Sequence, residues 1–343
     1  MKEGTPHSSG VPGFFFTGLS MSIATHVADP GNDRSRVDAR NDALFRGVLR
    51  ICALLVLAAL LGAAVSTLWG GREVLFGDGW HFLTSTQWNP VENRYGAWAP
   101  IYGTLVTSLI AIVIAVPLSF GIALCLTEIA PAWLRTPVAT AIELLAAIPS
   151  IIYGMWGLFV FVPFMAEHVD PLLDSTLGRV PLIGALFRGP PLGLGLLTAG
   201  IVLAIMIVPF ISSVMREVFQ TVPARLKESA YALGSTTWEV VWDIVLPYTR
   251  QAVIGGIFLG LGRALGETMA VTFVLGNAYD LSASLLMPGT SISSSIANEF
   301  NEAVGLHRSA LIALGFLLFV VTFVVLLIAR WMLRSLKRKE GNA

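Results

Sequence analysis

Two residues of opposite charge, Arg263 and Glu267, lie within a long apolar stretch of the sequence. A charge at the centre of a bilayer costs about 2.5–3.5 kcal/mol on insertion scales, so such residues usually have a function. The spacing of four predicts that both side chains share one helix face, where they partly neutralise each other as an ion pair. A guanidinium group on a face that lines an aqueous path would instead bind the oxygen atoms of an anion through its planar fork of donors.

The order of the two charges favours the anion path over the structural ion pair. Arginine precedes glutamate, which is the weaker orientation for a helical ion pair, and apolar residues often replace buried ion pairs without loss of stability. The carboxylate of Glu267 would repel a bare oxyanion but would accept a hydrogen bond from a protonated one. Phosphate carries at least one proton at neutral pH and sulfate carries none, so the hypothesis is that the pair favours phosphate.

The apolar segments that must position these residues are long enough to cross a membrane. The sequence is 55% hydrophobic and 13% charged, against roughly a quarter charged in soluble domains. A helix of about 20 apolar residues spans a bilayer. We predict an all-α polytopic membrane protein with six transmembrane helices, at residues 47–69, 101–127, 137–164, 192–215, 251–276 and 309–333.

Composition and spacing exclude several other kinds of chemistry. The formal net charge is zero and no basic stripe is present, which argues against binding to nucleic acid. Cys52 and Cys125 lie in apolar runs, and the five histidines show no paired metal-binding spacing. The sequence has no G-x-x-x-x-G-K-[ST] loop for nucleotide phosphates. We therefore expect no cofactor in this chain and no catalytic residues.

The distribution of basic residues predicts the orientation in the membrane. The loops on one side hold five of the 22 Lys and Arg residues, namely Arg72, Arg94, Arg179, Arg188 and Arg308. Basic residues concentrate on the cytoplasmic side, so both termini are predicted to be cytoplasmic. The predicted organisation is a disordered tail at 1–46, the first span, an outer loop at 70–100, a core at 101–333 and a C-terminal tail at 334–343.

The cytoplasmic loop at residues 216–250 is long and charged, and yet amphipathic. Gly234 suits the left-handed exit from a first helix, and Thr236 and Glu239 form a capping box that begins a second. Pro247 is predicted to end that second helix. We interpret the loop as two short helices joined at a glycine, which either anchor the spans at the membrane surface or dock a partner.

The same loop fits the pattern E-A-A-x3-G-x9-I-x-L-P, with one departure at Ser229. It resembles the EAA loop of ATP-binding-cassette (ABC) importer permeases. The matching positions are Glu228, Ala230, Gly234, Ile244, Leu246 and Pro247. The resemblance implies a type I ABC importer permease fold, in which these residues couple the permease to a separate ATPase subunit that binds ATP and Mg²⁺.

Longer stretches resemble the PstC-type permeases of bacterial high-affinity phosphate importers. They include ELLAAIPSIIYGMWGLFVF at 143–161 and LGLGRALGETMAVTFVLGN at 259–277. The resemblance implies that Arg263, Glu267 and Thr268 act in substrate translocation. It also implies a place in the bacterial inner membrane, with a PstA-type sister permease, two PstB-type ATPase subunits and a PstS-type periplasmic phosphate-binding protein as partners.

Other interpretations stay open at this point. A permease of the same class for another oxyanion would share the EAA loop. An ion-coupled secondary transporter is disfavoured because the chain shows no internal repeat, and a membrane phosphatase because its candidate acids and histidines are isolated. Glu143 suits a structural or a gating role. Asn298 and Glu299 are interpreted as solvated loop residues rather than as contacts for a binding protein.

Overall fold

The computed structural model describes residues 30–77, 79–181 and 184–340. Within these ranges the regular structure is helical. Extended pairing among the described residues is confined to two isolated bridges, between Asn89 and Arg94 and between Gly276 and Gly289. The predicted all-α fold class is therefore confirmed.

The α-helices of the described ranges follow one another as α1 (Pro30–Gly70), α2 (Arg72–Gly77), α3 (Gly79–Thr84), α4 (Trp98–Leu124), α5 (Ala132–Ala146), α6 (Ser150–Trp156), α7 (Val162–Phe164), α8 (Asp170–Thr176), α9 (Leu196–Gln220), α10 (Ala224–Ala232), α11 (Thr237–Val240), α12 (Leu246–Leu265), α13 (Met269–Thr272), α14 (Ile292–Glu299) and α15 (Gly305–Glu340). Five-residue π turns extend several of these helices, at Cys125–Ile129, Gly157–Phe161, Met165–Val169 and Val241–Val245. By internal contacts the chain forms two units, Met1–Ala59 and Leu60–Ala343. The site described below lies entirely in the second unit.

Six helical segments of the described chain are long and apolar enough to cross a membrane. They are Asn41–Gly70, Trp98–Ile129, Ser150–Arg179, Leu196–Gln220, Thr237–Leu265 and Gly305–Met332. The prediction of six membrane-spanning helices is thus confirmed, although their ends differ from the predicted ones.

The first and last helices extend beyond the predicted spans. Helix α1 begins at Pro30, so residues 30–46, which were expected to be disordered, are helical. Proline suits the first helical position, and no proline or glycine lies between residues 32 and 46 to interrupt the helix. Helix α15 continues to Glu340, into the predicted tail. Residues 1–29 of the predicted N-terminal tail lie outside the described residues.

Two of the predicted spans are broken. The span predicted at 137–164 is interrupted at residues 147–149, between α5 and α6. Pro149 causes this break because proline has no N–H to donate and disfavours helical backbone at the preceding residue. The span predicted at 251–276 ends at Leu265, and residues 266–268 separate α12 from α13. The prediction that Arg263 and Glu267 share a continuous helix is therefore wrong.

Pro247 does not end the second helix of the loop, so that prediction is also wrong. Helix α11, the π turn Val241–Val245 and helix α12 form one continuous helix from Thr237 to Leu265. In the π turn the N–H group of Leu246 bonds to the carbonyl of Val241, one residue further back than in an α-helix. Because of this change in the hydrogen-bond register, the helix continues through Pro247 although proline has no N–H group to donate. The loop is therefore connected to the fifth span by continuous helix.

Helix α9 lies at the centre of the bundle, packed against α4, α5 and α12. One face of α9 is fully buried, through Ile207, Ile211, Met215 and Phe219 at intervals of four residues. Helix α12 approaches this face closely because Gly260 has no side chain. A Cβ atom at this position would lie only 2.5 Å from Cδ1 of Ile211. The packing fixes α12, and with it Arg263, against the core.

Candidate functional site

The two helix breaks lie beside each other in the second unit. Gly154, in the first turns of α6, contacts α13 so closely that an added Cβ atom would meet the Met269 carbonyl at 2.8 Å. The hydroxyl of Tyr153 donates to the Leu145 carbonyl at 3.0 Å, across the first break. Non-helical backbone at membrane depth is tolerated where it is buried in protein or lines a water-filled cavity. In transporters, such discontinuous helices commonly form the substrate site.

Arg263 lies in the last turn of α12, at the second break. Its guanidinium group stacks over the ring of Phe210 from α9, with 5.4 Å between Cζ and the ring centroid. Among the described residues it makes no hydrogen bond and no ion pair. The side chain is exposed on the surface of this chain, so its five N–H donors are available to a ligand or a neighbouring subunit.

Apart from the contact of Arg263 with Phe210, the helix face that carries Arg263 is largely uncovered within the described part of the second unit. A Cβ atom added at Gly255 or at Gly262 would meet no described atom of another element within 4 Å. Leu259, between them on the same face, is 62% exposed. A guanidinium group exposed to lipid would be costly, so this face must adjoin water or another protein.

Glu267 lies between α12 and α13 and is half-buried. Its side-chain Oε1 accepts a long hydrogen bond of 3.4 Å from the Ala270 N–H. No ion pair with Arg263 is present, so the interpretation as a structural ion pair is wrong for the described structure. The carboxylate keeps acceptor capacity for a further partner.

Thr268 is the residue that precedes α13, and its side chain does not cap that helix. Its hydroxyl is 3.5 Å from the Gly266 carbonyl, at the limit of a hydrogen bond. Its carbonyl accepts a bond of 2.7 Å from the Thr272 hydroxyl. Thr268 is therefore part of the break, alongside Glu267.

A serine-rich segment that the sequence analysis had not assigned to the site reaches the same place. The hydroxyl of Ser293, in the first turn of α14, donates to the main-chain carbonyl of Glu267 at 2.7 Å. Helix α14 begins at a capping residue, Ser291, whose hydroxyl accepts from the Ser294 N–H at 3.1 Å. The run of serines at 291 and 293–295 in an otherwise apolar region was the available signal.

The loop between the fourth and fifth spans has the predicted local geometry at its turn. Gly234 follows α10 with a φ of +91°, the left-handed conformation that glycine adopts without strain. The capping box is complete, since Thr236 and Glu239 bond to each other's backbone N–H groups. Leu233, beside the glycine, is 88% exposed.

The other loop residues of the EAA pattern divide between the surface and the core. Glu228 is exposed on α10, whereas Ala230 is buried. Ile244 packs against the hydrophobic core from within the π turn. Leu246 and Pro247 begin α12. The pattern thus combines an exposed turn with a second helix that is anchored in the bundle.

An ion pair connects this loop to the end of the second span. Lys227 of α10 donates to the carboxylate of Glu128, which is 7% exposed and lies in the π turn after α4. A second ion pair, of 2.6 Å, joins Glu143 of α5 to Arg216 of α9. Glu143 therefore has a partner that ties two helices together.

Glu299 lies at the centre of an aromatic cluster. Its carboxylate accepts hydrogen bonds from Trp88 Nε1 at 2.8 Å and from the Tyr279 hydroxyl, and its Oε2 is 2.8 Å from His307 Nε2. The rings of Trp88 and Tyr279 stack at 4.9 Å, and those of Tyr95 and His307 at 5.4 Å. Burial raises the pKa of Tyr95, and the negative charge of Glu299 raises it further. Burial also raises the pKa of Tyr279, with a smaller effect from its hydrogen bond to Glu299.

The interpretation of Glu299 as a solvated loop acid is therefore wrong, because three side chains surround its carboxylate. Asn298, next to it, is exposed as expected. Spacing along the chain could not indicate the cluster because Trp88 and Glu299 are 211 positions apart. The cluster fixes the loop before α4 to the end of α14 and the start of α15.

Comparison with known proteins gives a consistent set of relatives. The chain matches the family described as "Binding-protein-dependent transport system inner membrane component" over residues 115–338. It is 65% identical over 323 residues to the phosphate transport system permease protein PstC of Xylella fastidiosa, covering 94% of this chain and 99% of the relative. The PstC protein of Pasteurella multocida is 59% identical, over 88% of this chain and 94% of the relative.

A solved structure shares the fold. It is a chain of the crystal structure of a bacterial alginate ABC transporter in complex with an alginate pentasaccharide-bound periplasmic protein, with a TM-score of 0.59 at 20% identity. The match covers 87% of this chain and 96% of that chain. Six spans, two broken helices and the anchored loop thus define the fold of an ABC importer permease. The chain belongs to the family of binding-protein-dependent transport system inner membrane components and, within it, to the PstC-type permeases.

Proposed function

We propose that this chain is the membrane-spanning permease subunit of an ATP-driven importer that moves inorganic phosphate across the bacterial inner membrane. The observation that carries the proposal is the Arg263 guanidinium, which is exposed beside two helix breaks and has no hydrogen-bond partner among the described residues. The relatives that share most of its length carry the name of a phosphate transport system permease.

The chemistry of the site suits a partly protonated oxyanion. Arg263 offers a planar set of donors that matches two oxygen atoms of phosphate. Glu267 lies four positions further on, and its carboxylate would accept a hydrogen bond from the proton that phosphate retains at neutral pH. Sulfate has no such proton, so Glu267 would repel it. The two residues together therefore favour phosphate.

The uncovered face of α12 fits a PstA-type sister permease on the far side of a shared path. In this arrangement Arg263 faces the path and neither chain exposes the charge to lipid. A PstS-type binding protein would deliver phosphate from the periplasm. Both chain termini would lie in the cytoplasm, since most Lys and Arg residues lie on that side.

The loop at residues 216–250 would couple the permease to one of two PstB-type ATPase subunits, which bind ATP and Mg²⁺. The exposed turn at Leu233 and Gly234 would enter the ATPase. The continuous helix Thr237–Leu265, which is 29 residues or about 43 Å long, begins just after this turn and carries Arg263 in its last turn. Movement of the ATPase would then shift Arg263 with the loop as one rigid element, which is a route to alternating access.

The test is uptake by the complete transporter reconstituted in liposomes with its receptor. Labelled phosphate should accumulate when ATP is supplied on the ATPase side, and accumulation should persist when the membrane potential is collapsed. Uptake that needs the potential and ignores ATP would mean an ion-coupled transporter. Accumulation of another oxyanion in preference to phosphate would assign a different cargo.

A further inference from the structure

Glu267 is held in place by a residue from a different part of the chain. The hydroxyl of Ser293 donates to the Glu267 carbonyl at 2.7 Å, and Ser293 itself is only 6% exposed. The residues are 26 positions apart. The bond therefore links the break after α12 to the first turn of α14.

The donor lies on a well-anchored element. The N–H group of Ile292 donates to the hydroxyl of Thr104 in α4 at 2.9 Å. The hydroxyl of Ser294 donates to the side-chain oxygen of Asn277. These contacts fix the first turn of α14 on both sides of Ser293, so its hydroxyl has a defined position.

The acceptor, in contrast, has weak support from its own segment. Glu267 lies outside any helix, and its N–H group makes a long bond of 3.3 Å to the Ala264 carbonyl. Among the described residues, the one hydrogen bond of its side chain is the 3.4 Å contact with the Ala270 N–H. The bond from Ser293 is the shortest of the three, so it contributes most to the position of Glu267.

We propose that Ser293 is a positioning residue for transport, which holds the main chain of Glu267 so that its carboxylate faces the anion beside Arg263. This inference rests on the proposed function, because it gives Ser293 a role only if Glu267 acts on the cargo. Ser293 itself does not need to contact the anion. Without its hydroxyl the break would relax, and the carboxylate would no longer be preorganised for its proton-bearing ligand.

Ser295 provides a matched control on the same helix. It is also buried, and its hydroxyl bonds to the Ser291 carbonyl at 3.0 Å and to the Thr290 hydroxyl at 2.9 Å. The side chain of Ser295 also bonds to that of Tyr279, but none of its bonds reaches Glu267. Loss of the Ser295 hydroxyl should therefore report any general effect of weakening α14.

The experiment measures phosphate uptake and ATP hydrolysis by the reconstituted transporter carrying single and double variants. Ser293→Ala should lower the kcat of uptake about fivefold, the effect of one hydrogen bond, with little change in the KM or in the amount of assembled complex. Ser293→Thr should restore uptake, and Ser295→Ala should resemble the wild type. Ser293→Cys, with a weak donor of similar size, is measured as well in case the alanine variant fails to assemble. Its kcat of uptake should lie between that of Ser293→Ala and that of the wild type.

The deciding measurement is the same substitution in a Glu267→Gln background. A positioning role predicts that Ser293→Ala or Ser293→Cys adds no further loss there, whereas a purely structural role predicts the same factor in both backgrounds. Wild-type uptake by both Ser293 variants, or an equal loss in both backgrounds, would overturn the inference. Wild-type uptake by Glu267→Gln alone would instead overturn the role proposed for Glu267.

Discussion

Arg263 and Glu267 lie on either side of a helix end, with Arg263 in the last turn of α12 and Glu267 in the non-helical segment that follows. Their side chains are not joined by an ion pair, and each keeps hydrogen-bonding capacity. The break therefore holds hydrogen-bond donors, on the Arg263 guanidinium, near a separate acceptor, the Glu267 carboxylate. In the proposed function it is the feature that recognises a protonated oxyanion.

Glu267→Gln should lower phosphate uptake and make it more sensitive to sulfate. The amide donates as well as accepts, so it no longer repels an anion that lacks a proton. The measurement is labelled phosphate uptake with and without excess sulfate, using the same receptor for both proteins. Because the receptor is unchanged, a difference between the two proteins reports the permease. Unchanged uptake with unchanged sulfate sensitivity would exclude selection by Glu267.

Gly234→Ala should weaken the connection between the permease and its ATPase. The φ of +91° at this position costs an alanine roughly 1–2 kcal/mol, and the adjacent Leu233 would be displaced from its exposed position. Co-purification of the ATPase subunit and the phosphate transported per ATP should both fall. Gly62→Ala is the control, since a Cβ atom at Gly62 in α1 would meet no described atom within 4 Å, and it should retain both.

Lys227→Met should destabilise the complex more than the double variant Lys227→Met with Glu128→Leu. The single variant leaves the carboxylate of Glu128 nearly buried without its partner. Partial exposure of Lys227 limits the cost to about 1–3 kcal/mol. Thermal unfolding of the purified complex measures both variants. Equal destabilisation by the single and double variants would show that the ion pair does not hold the loop to α4.

Raising the pH above 10 should destabilise the region around Glu299. The pKa of Tyr279 is raised above its ordinary value of 10.0 by burial and by its bond to Glu299. The Tyr279 hydroxyl therefore ionises at a lower pH in the unfolded chain than in the folded one. Its contribution to the free energy of unfolding is complete below pH 10 and is lost as the pH rises above it. Tyr279→Phe should lower the unfolding temperature at neutral pH and flatten its decline in the alkaline range. An alkaline decline of the same slope in both proteins would assign the effect to other groups.

The number and type of the spans followed from apolar length alone, since a helix needs about 20 apolar residues to cross a bilayer. The local signals at Gly234 and at the Thr236–Glu239 capping box were also sufficient, because both depend on neighbouring residues. These features are local, and short-range spacing determines them.

Pro149 was a local signal for the first break, but the second break and the long-range contacts did not follow from the sequence. Gly266, Glu267 and Thr268 form a break of only three residues within a longer apolar run, so composition averaged over that run indicated one helix where the structure has two. Pro247 indicated a helix end, but the π turn before it shifts the hydrogen-bond register and the helix continues without the N–H donor that proline lacks. Ser293 and Glu299 depend on partners that are brought near by tertiary packing. Spacing along the chain carries no information about such partners.

The most direct test of the account is phosphate transport by the Arg263→Ala protein in the fully assembled, reconstituted complex. The account predicts normal assembly and a loss of uptake of roughly 10- to 150-fold, the range for hydrogen bonds to a charged group. Arg263→Lys should recover part of the rate, because it restores the charge without the planar fork. Arg94→Ala, which changes an exposed arginine outside the spans, should transport normally. Uptake by an assembled Arg263→Ala complex at the wild-type rate would contradict the claim that this guanidinium binds the passing anion.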